Sequence, residues 1–242
     1  MDDSTLALPR KPRRGDLVEL QIERLDARGQ GEADQRVSIG PGGAPRTLTY
    51  SVRRALPGDH VTAHIRRILG NRFEASVEVL RQPAPNRIEP RCSYFPDRVE
   101  TAGCGGCALQ SLAYEDQLIH KAARVTALTV AAGAPPGSLQ PAIPARSPWY
   151  YRNKMEFSFA ARRWLTREEI SSGEEFRRDF ALGLHAPGAF DRVLDIDTCP
   201  LQTETANAYL SATRDFAIAS SEEPYHLRDN RGFYRYLILR RG

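Results

Sequence analysis

A series of short apolar alternations, separated by glycine and proline, limits the folds that the first third of this chain can adopt. Between Gly15 and Arg81, apolar residues recur at near-alternate positions in five stretches, as they do in strands with one buried face. Turn-forming residues such as Gly40–Gly43 separate these stretches. The predicted strands lie in Leu17–Leu25, Val37–Ile39, Leu48–Val52, Val61–Ile68 and Phe73–Leu80. This spacing predicts a small five-stranded β-barrel of the OB type.

The rest of the chain predicts an α+β domain. Residues 82–90 contain three prolines and no periodicity, which predicts a linker. Helices are predicted over Tyr114–Ala132, where Gly133 ends the pattern, and over Gln202–Phe216. Strands are predicted over Lys154–Ala160, Ala181–His185, Val193–Ile196 and Phe233–Arg240. The last strand has no strand after it to pair with, so we expect a domain truncated at its C-terminus. The predicted division is a disordered lead-in (1–14), the barrel (15–81), the linker (82–90) and a central domain (91–242).

Positive charge is concentrated in the first third of the chain. Residues 10–81 carry 14 Lys and Arg against 9 Asp and Glu, whereas residues 82–242 carry 20 against 19. A basic surplus on a small module predicts contact with phosphate groups, although a solvated surface without a partner gives the same count. No apolar run approaches the roughly 20 residues that cross a bilayer, and the N-terminus lacks the order of a signal peptide. We therefore predict a cytoplasmic protein without a membrane partner.

The four cysteines are the strongest chemical signal. Their spacing is Cys92-x11-Cys104-x2-Cys107-x91-Cys199, and Pro200 follows the last. Three thiolates in one region with a distant fourth before proline resemble the ligands of iron–sulfur clusters. A four-cysteine zinc site and a redox pair remain alternatives on spacing alone. The sequence therefore predicts a metal site on all four cysteines, with a [4Fe–4S] cluster favoured over the other two.

Two kinds of segment are candidates for RNA contact. Tyrosines and basic residues interleave at Tyr150–Lys154, which suits base stacking combined with phosphate neutralisation. Pairs of adjacent arginines also occur in the predicted barrel. Packed tyrosines and solvated charges would give the same pattern. The candidate RNA-binding residues are Arg53, Arg54, Arg66, Arg67, Tyr151, Arg152 and Lys154.

Several motifs follow one another in a fixed order. They are Gly15-Asp16-x-Val18-x-Leu20-x-Ile22, Gly29-Gln30-Gly31, Leu56-Pro57-Gly58-Asp59-x-Val61, Cys104-Gly105-Gly106-Cys107-Ala108-Leu109-Gln110, Tyr151-Arg152-Asn153-Lys154, Leu182-Gly183-Leu184-His185 and Asp195-x-Asp197-x-Cys199-Pro200. In this order they resemble the RNA uracil-C5 methyltransferases. The first three are similar to the TRAM domain, a small OB-like RNA-binding barrel, and the others to the iron–sulfur central domain. The chain departs from the family by an insertion within Ser93–Gly103.

The resemblance implies an activity, its cofactors and its partner. It implies an S-adenosylmethionine-dependent enzyme in which a cysteine adds to C6 of uracil and a base removes the C5 proton. It also implies a [4Fe–4S] cluster on the four cysteines. The partner would be rRNA or tRNA and not DNA, with a role in rRNA processing or tRNA modification. The family's Rossmann-like methyltransferase domain, which would bind S-adenosylmethionine, has no counterpart here, because no glycine-rich loop follows a strand.

The predicted fold class is therefore mainly β with α+β, an OB-like barrel followed by an incomplete central domain. We expect the chain alone to be an inactive part of an RNA methyltransferase, whose catalytic domain is either lost by truncation or separately encoded. Two alternatives remain: a stand-alone iron–sulfur RNA-binding protein without catalysis, and a zinc-stabilised, RNA chaperone-like protein.

Overall fold

The chain divides into two compact units. A computed structural model describes residues 8–40, 44–96, 103–135, 137–189, 191–226 and 229–242, without the side chains of residues 167 and 168. The first unit comprises residues 1–88 and 111–113, and the second comprises residues 89–110 and 114–242. Parts of three predictions fall outside the described residues: residues 1–7 of the lead-in, residues 41–43 of the glycine turn and residues 97–102 of the insertion. No helix in the described part of the chain is long and apolar enough to cross a membrane.

The first unit contains a six-stranded sheet. Its strands are β1 (Leu17–Gln21), β2 (Arg24–Leu25), β3 (Gly31–Val37), β4 (Arg46–Arg53), β5 (His60–Leu69) and β6 (Arg72–Gln82). Their order is β1-β5-β6-β4-β3-β2, and all neighbours are antiparallel except β4 and β6, which are parallel. The predicted five-stranded OB-type barrel is wrong. The sheet has six strands, and among the described residues no ladder joins β1 to β2 to close it.

The barrel prediction fails because the first apolar stretch is not one strand. The alternation over Leu17–Leu25 runs across Ile22, which lies between β1 and β2 and bonds to the residues just before β5. The Ile22 N–H donates to the carbonyl of Asp59 at 2.9 Å, and the Ile22 carbonyl accepts from the N–H of Gly58 at 2.8 Å. The stretch is therefore divided between β1 and β2, which lie at opposite edges of the sheet.

The core of the first unit is built from alternate residues of these strands. Tyr50 and Phe73 are fully buried with ring centroids 5.2 Å apart, and apolar residues of β4, β5 and β6 surround them.

Part of the segment predicted as a disordered lead-in is bonded to this unit. The Ser38 N–H donates to the carbonyl of Pro9 at 2.9 Å, and the Lys11 N–H donates to the carbonyl of Ser38 at 3.3 Å.

A buried carboxylate connects the loop after β4 to the segment after β6. Asp59 is 0% exposed and accepts hydrogen bonds from the backbone N–H of Leu56 at 2.7 Å and of Ala84 at 2.8 Å. The same carboxylate pairs with Arg87 Nη2 at 2.8 Å. Because two backbone donors and a guanidinium share one carboxylate, the Leu56–Asp59 motif has a structural role in this unit.

The described residues of the second unit form three helices and a four-stranded antiparallel sheet. The helices are α1 (Tyr114–Ala131), α2 (Arg167–Ser172) and α3 (Glu204–Ala219), and the strands are β7 (Lys154–Ala160), β8 (Ala181–His185), β9 (Val193–Asp195) and β10 (Tyr236–Arg240). The sheet order is β10-β7-β8-β9. The last predicted strand, which has no strand after it, finds its partner earlier in the chain: β10 pairs with β7 from Tyr236 opposite Ser158 to Arg240 opposite Lys154.

Local signals explain most elements of the second unit. The predicted helix over Tyr114–Ala132 is confirmed as α1, and Gly133 follows it with φ of +93°. Thr203 caps α3 by accepting from the N–H of Ala206. The strand predicted over Lys154–Ala160 is confirmed as β7. Alternate residues of β7 and β8 pack against α3, so that the core includes Phe157, Phe159, Leu182 and Leu210.

Candidate metal centre

All four cysteines line a single cavity in the second unit. Cys92 precedes the insertion, Cys104 and Cys107 lie in the loop before α1, and Cys199 lies between β9 and α3. None of them forms a disulfide, and Cys104 and Cys199 are buried. The rest of the wall is mostly apolar, with contributions from Tyr94, Phe95, Gly106, Gln110, Arg152, Met155, Leu184, Ile196, Thr198 and Leu201. Residues separated by more than 90 positions in the sequence therefore share one lining.

The loop that carries Cys104 and Cys107 is fixed by backbone contacts. The Cys104 N–H donates to the carbonyl of Tyr94 at 2.7 Å, and the Gly105 N–H donates to the carbonyl of His185 at 3.0 Å. A Cβ on Gly103 would lie 2.7 Å from atoms of Pro96, so the close approach there requires glycine. The Gly106 N–H lies 3.3 Å from Cys104 Sγ and donates to it. The two neighbouring glycines thus donate in different directions. The Gly105 N–H bonds to the His185 carbonyl, and the Gly106 N–H bonds to Cys104 Sγ.

Asn207 of α3 holds the backbone of Cys199. Its Oδ1 accepts from the Cys199 N–H at 2.9 Å, and its Nδ2 donates to the Cys199 carbonyl at 3.3 Å. The Gln202 N–H donates to the same carbonyl at 3.2 Å. These three bonds, two from Asn207 in α3 and one from Gln202 just before it, orient the backbone of Cys199. The sequence pattern gave no indication of this role for Asn207.

Burial disfavours the thiolate forms of Cys92, Cys104 and Cys199. Burial raises the pKa of the Cys104 thiol to about 11. The hydrogen bond from the Gly106 N–H to this sulfur acts in the opposite direction and lowers the pKa. Burial also raises the pKa of Cys92 and of Cys199, and backbone N–H groups near each sulfur act in the opposite direction. The other cysteines of the cavity raise the pKa of each of these three thiols further, because a second negative charge disfavours the thiolate. Arg152 partly offsets this effect at Cys199. Such thiols are poor nucleophiles until a cation stabilises their anions.

A single metal ion has no ready-made site in the part of the chain that the structure describes. There, no group of three His, Cys, Asp or Glu side chains converges closely enough to hold one. The four sulfurs are instead distributed over the wall of the cavity. The identity of the ligands therefore stays a prediction.

The predicted RNA-binding residues are divided between the two units. Arg53, Arg54, Arg66 and Arg67 belong to the first unit, and Tyr151, Arg152 and Lys154 belong to the second. Arg66 bonds to Ser76 and Glu78, and Lys154 lies 3.8 Å from Glu156. Tyr151 is 61% exposed. RNA binding by these seven residues stays a prediction.

Much of the basic surplus of the first unit is already paired. Arg24 contacts Glu32 and Asp34, and Arg72 contacts Glu32 at 2.8 Å. Arg81 lies 3.6 Å from Glu19. Paired guanidinium groups are less available to phosphates than their number suggests, because a new partner must compete with the carboxylate.

A stacked group next to the cysteine region was missed by the sequence analysis. The guanidinium of Arg91 lies 5.4 Å from the ring centroid of Trp149 and 5.1 Å from that of Tyr150. Arg91 Nη2 also donates to the Tyr150 hydroxyl at 2.6 Å. Tyr150 has φ of +59°, which is unusual for a bulky residue. The aromatic and basic composition of Trp149–Arg152 was a signal, but the partner from Arg91 could come only from the fold.

Comparison with known proteins identifies the family. No protein-family model matches the chain. An uncharacterized RNA methyltransferase of Chlorobaculum tepidum is 37% identical over 231 residues, which cover 94% of this chain and 45% of that protein. An uncharacterized RNA methyltransferase of Bacteroides thetaiotaomicron is 33% identical over 194 residues, which cover 80% of this chain and 41% of that protein. The chain thus spans less than half the length of these relatives.

A solved structure has a similar fold. The tRNA (uracil-54, C5)-methyltransferase of Pyrococcus abyssi, in complex with S-adenosyl-L-homocysteine, matches 93% of this chain and 42% of its own chain with a TM-score of 0.59 and 20% identity. At that identity the match shows the fold alone. The sequence relatives carry the assignment, and by descent the chain belongs to the RNA methyltransferase family.

Proposed function

We propose that the chain is the RNA-recognising and cluster-binding portion of an S-adenosylmethionine-dependent enzyme that methylates C5 of uracil in tRNA or rRNA. The observation that carries this proposal is the single cavity lined by Cys92, Cys104, Cys107 and Cys199 in a homologue of RNA methyltransferases. The uracil-C5 chemistry is supported by the motifs that resemble that family. It is also supported by a fold neighbour that is a tRNA uracil methyltransferase solved with S-adenosyl-L-homocysteine.

The chemistry of the cavity fits a [4Fe–4S] cluster. Such a cluster is held by four cysteine thiolates and is tuned by hydrogen bonds to their sulfurs. The chain supplies four unpaired thiols and a backbone donor 3.3 Å from Cys104 Sγ. Backbone N–H groups also act on the sulfurs of Cys92 and Cys199. Zinc, which four thiolates also satisfy, is the competing ligand.

The cluster would act as a structural connection between distant segments. Its iron would stabilise the thiolates that burial disfavours, and loading would release protons. Cys92, Cys104 and Cys107 would thereby be connected to Cys199 at the start of α3. Within this chain, Asn207 would orient Cys199, and Gly106 would donate to Cys104.

Methyl transfer needs a nucleophile that these four cysteines do not supply. The reaction requires a thiolate that adds to C6 of uracil and a base that removes the C5 proton. A thiol that binds iron cannot also attack uracil, and the pKa values of Cys92, Cys104 and Cys199 are raised, which disfavours free thiolates. We therefore infer that residues outside this chain supply the nucleophile.

Deletion of the gene tests the proposal. The source organism with and without the gene would be compared for 5-methyluridine in separately purified tRNA and rRNA by mass spectrometry of nucleosides. We expect 5-methyluridine to disappear from at least one position and to return on complementation with the intact gene. Unchanged 5-methyluridine at every position in both RNA classes would contradict the proposal.

A further inference from the structure

A second cavity of the second unit has the size and chemistry of a ligand site. It has a volume of about 350 Å³ and lies where the start of α3 faces the end of β10. We name it the arginine groove after Arg152, Arg240 and Arg241, which line it together with Gln202 and Tyr209. Sites for small ligands typically have volumes of about 300–1,000 Å³. The arginine groove therefore lies within the size range of small-ligand sites and is too small for a duplex.

The charge of the groove is positive and unneutralised. Its lining contains no Asp or Glu. Arg152, Arg240 and Arg241 are all exposed, and none of them forms an ion pair with any residue in the described ranges. Arg240 and Arg241 are adjacent at the end of β10, where the Arg241 N–H donates to the carbonyl of Asn153 at 2.8 Å. The backbone of the two arginines is thus fixed while their side chains remain available to an anion.

An aromatic ring lies on the same groove. Tyr209 is on α3 and is 63% exposed, although it lines the cavity. An exposed tyrosine beside arginines that form no ion pair within the described residues offers a face on which a planar group can stack. Unpaired nucleotides combine such a planar base with a phosphate, and proteins bind them through this pair of contacts.

A buried acceptor in the lining lacks a partner. Gln202 is 1% exposed, and its Nε2 donates to Asn207 Oδ1 at 2.7 Å. The orientation of Asn207 is set by its two bonds to the Cys199 peptide, and that orientation in turn fixes the amide of Gln202. Gln202 Oε1 is buried and has no hydrogen-bond partner within the described residues. A ligand at this side of the groove is expected to supply an N–H or O–H, as the imide of uracil or a ribose hydroxyl does.

We propose that the arginine groove binds one nucleotide of unpaired RNA. Its phosphate contacts Arg240 and Arg241, its base stacks on Tyr209, and an N–H or O–H of the nucleotide donates to Gln202 Oε1. The proposal rests on the proposed function, since it names the place in the second unit where RNA is held. It adds a site that the predicted RNA-binding residues, apart from Arg152, do not include.

The test measures binding of a short fluorescent oligouridylate by anisotropy, with the intact 242-residue chain at several salt concentrations. Tyr209→Ala is expected to weaken binding about fivefold or more, whereas Tyr209→Phe retains affinity because the ring remains. An abasic oligomer of the same length is expected to bind wild type and Tyr209→Ala equally. Arg240→Ala combined with Arg241→Ala is expected to weaken both oligomers and to reduce the salt slope by about 0.7 for each lost phosphate contact.

A matched control separates the groove from general charge. Arg162 and Arg178 are exposed residues of the same unit, and changing both to alanine removes the same charge elsewhere. The proposal is overturned if this control weakens binding as much as the Arg240 and Arg241 changes do. It is also overturned if Tyr209→Ala binds oligouridylate like wild type. In either case RNA binding by the chain, and with it the proposed function, would still stand. No binding by wild type at low salt would instead count against both.

Discussion

Replacing Asp59 by alanine should severely destabilise the first unit. The carboxylate is 0% exposed, and it accepts from the N–H groups of Leu56 and Ala84 and pairs with Arg87, whose side chain is only 10% exposed. Its removal deprives the buried guanidinium of Arg87 of its carboxylate counter-charge, and breaking a buried ion pair in this way typically costs about 3–5 kcal/mol. A loss of about 4 kcal/mol corresponds to a roughly thousandfold increase in the equilibrium constant for opening.

Hydrogen exchange measured by mass spectrometry can localise this loss. Peptides from β4, β5 and β6 should exchange about a thousandfold faster in Asp59→Ala, because their amides exchange through global opening of the unit. Asp34→Ala is the control. Asp34 pairs with Arg24 at 3.0 Å on the surface, where a pair is typically worth less than about 1 kcal/mol. An acceleration below about tenfold in Asp59→Ala, or one equal to that of the control, would refute the structural role of this carboxylate.

Three further predictions concern the second unit and the activity. Metal-loaded Asn207→Ala should lose its metal to a chelator at least several times faster than metal-loaded Asn207→Asp. The aspartate keeps one acceptor for the Cys199 N–H, whereas alanine keeps none, so equal rates would contradict the role of Asn207. Gly183→Ala should destabilise the unit by several kcal/mol in thermal unfolding, since a Cβ would lie 1.9 Å from the Leu194 carbonyl oxygen; a melting temperature within about 2 °C of wild type would contradict this. The 242-residue chain alone should form no 5-methyluridine from labelled S-adenosylmethionine and RNA, and detection of that product would contradict the assignment of its cysteines to a metal site.

Elements with strong local signals could be predicted from the sequence. α1 combines an alanine-rich helical period with a glycine stop, and it lies within one residue of its predicted end. β3 was predicted too late in the chain, because its buried positions include Gly31 and Ala33, which carry little apolar signal. α2 was missed, although Thr166 and Glu169 form a capping box that could have indicated it.

Features that depend on distant contacts could not be predicted. The division of the first apolar stretch follows from backbone bonds between Ile22 and the Gly58-Asp59 segment. The last strand pairs with β7, about 80 residues earlier, whereas sequence reasoning sought its partner further along the chain. The spacing of the four cysteines suggested that they would lie together. Two other features exist only in the folded chain: the contact of Asn207 with Cys199, and the arginine groove formed where α3 faces β10.

The assignment of the four cysteines to a [4Fe–4S] cluster is tested by the metal content of the chain after anaerobic reconstitution with iron and sulfide. We expect about four iron and four acid-labile sulfide per chain with broad visible absorption, as for one [4Fe–4S] cluster. Cys199→Ser should lose most of both, while Ser93→Ala should retain them, since Ser93 is an exposed neighbour of Cys92 that does not line the cavity. Tight binding of one zinc in place of the cluster, or full iron and sulfide in Cys199→Ser, would contradict the assignment.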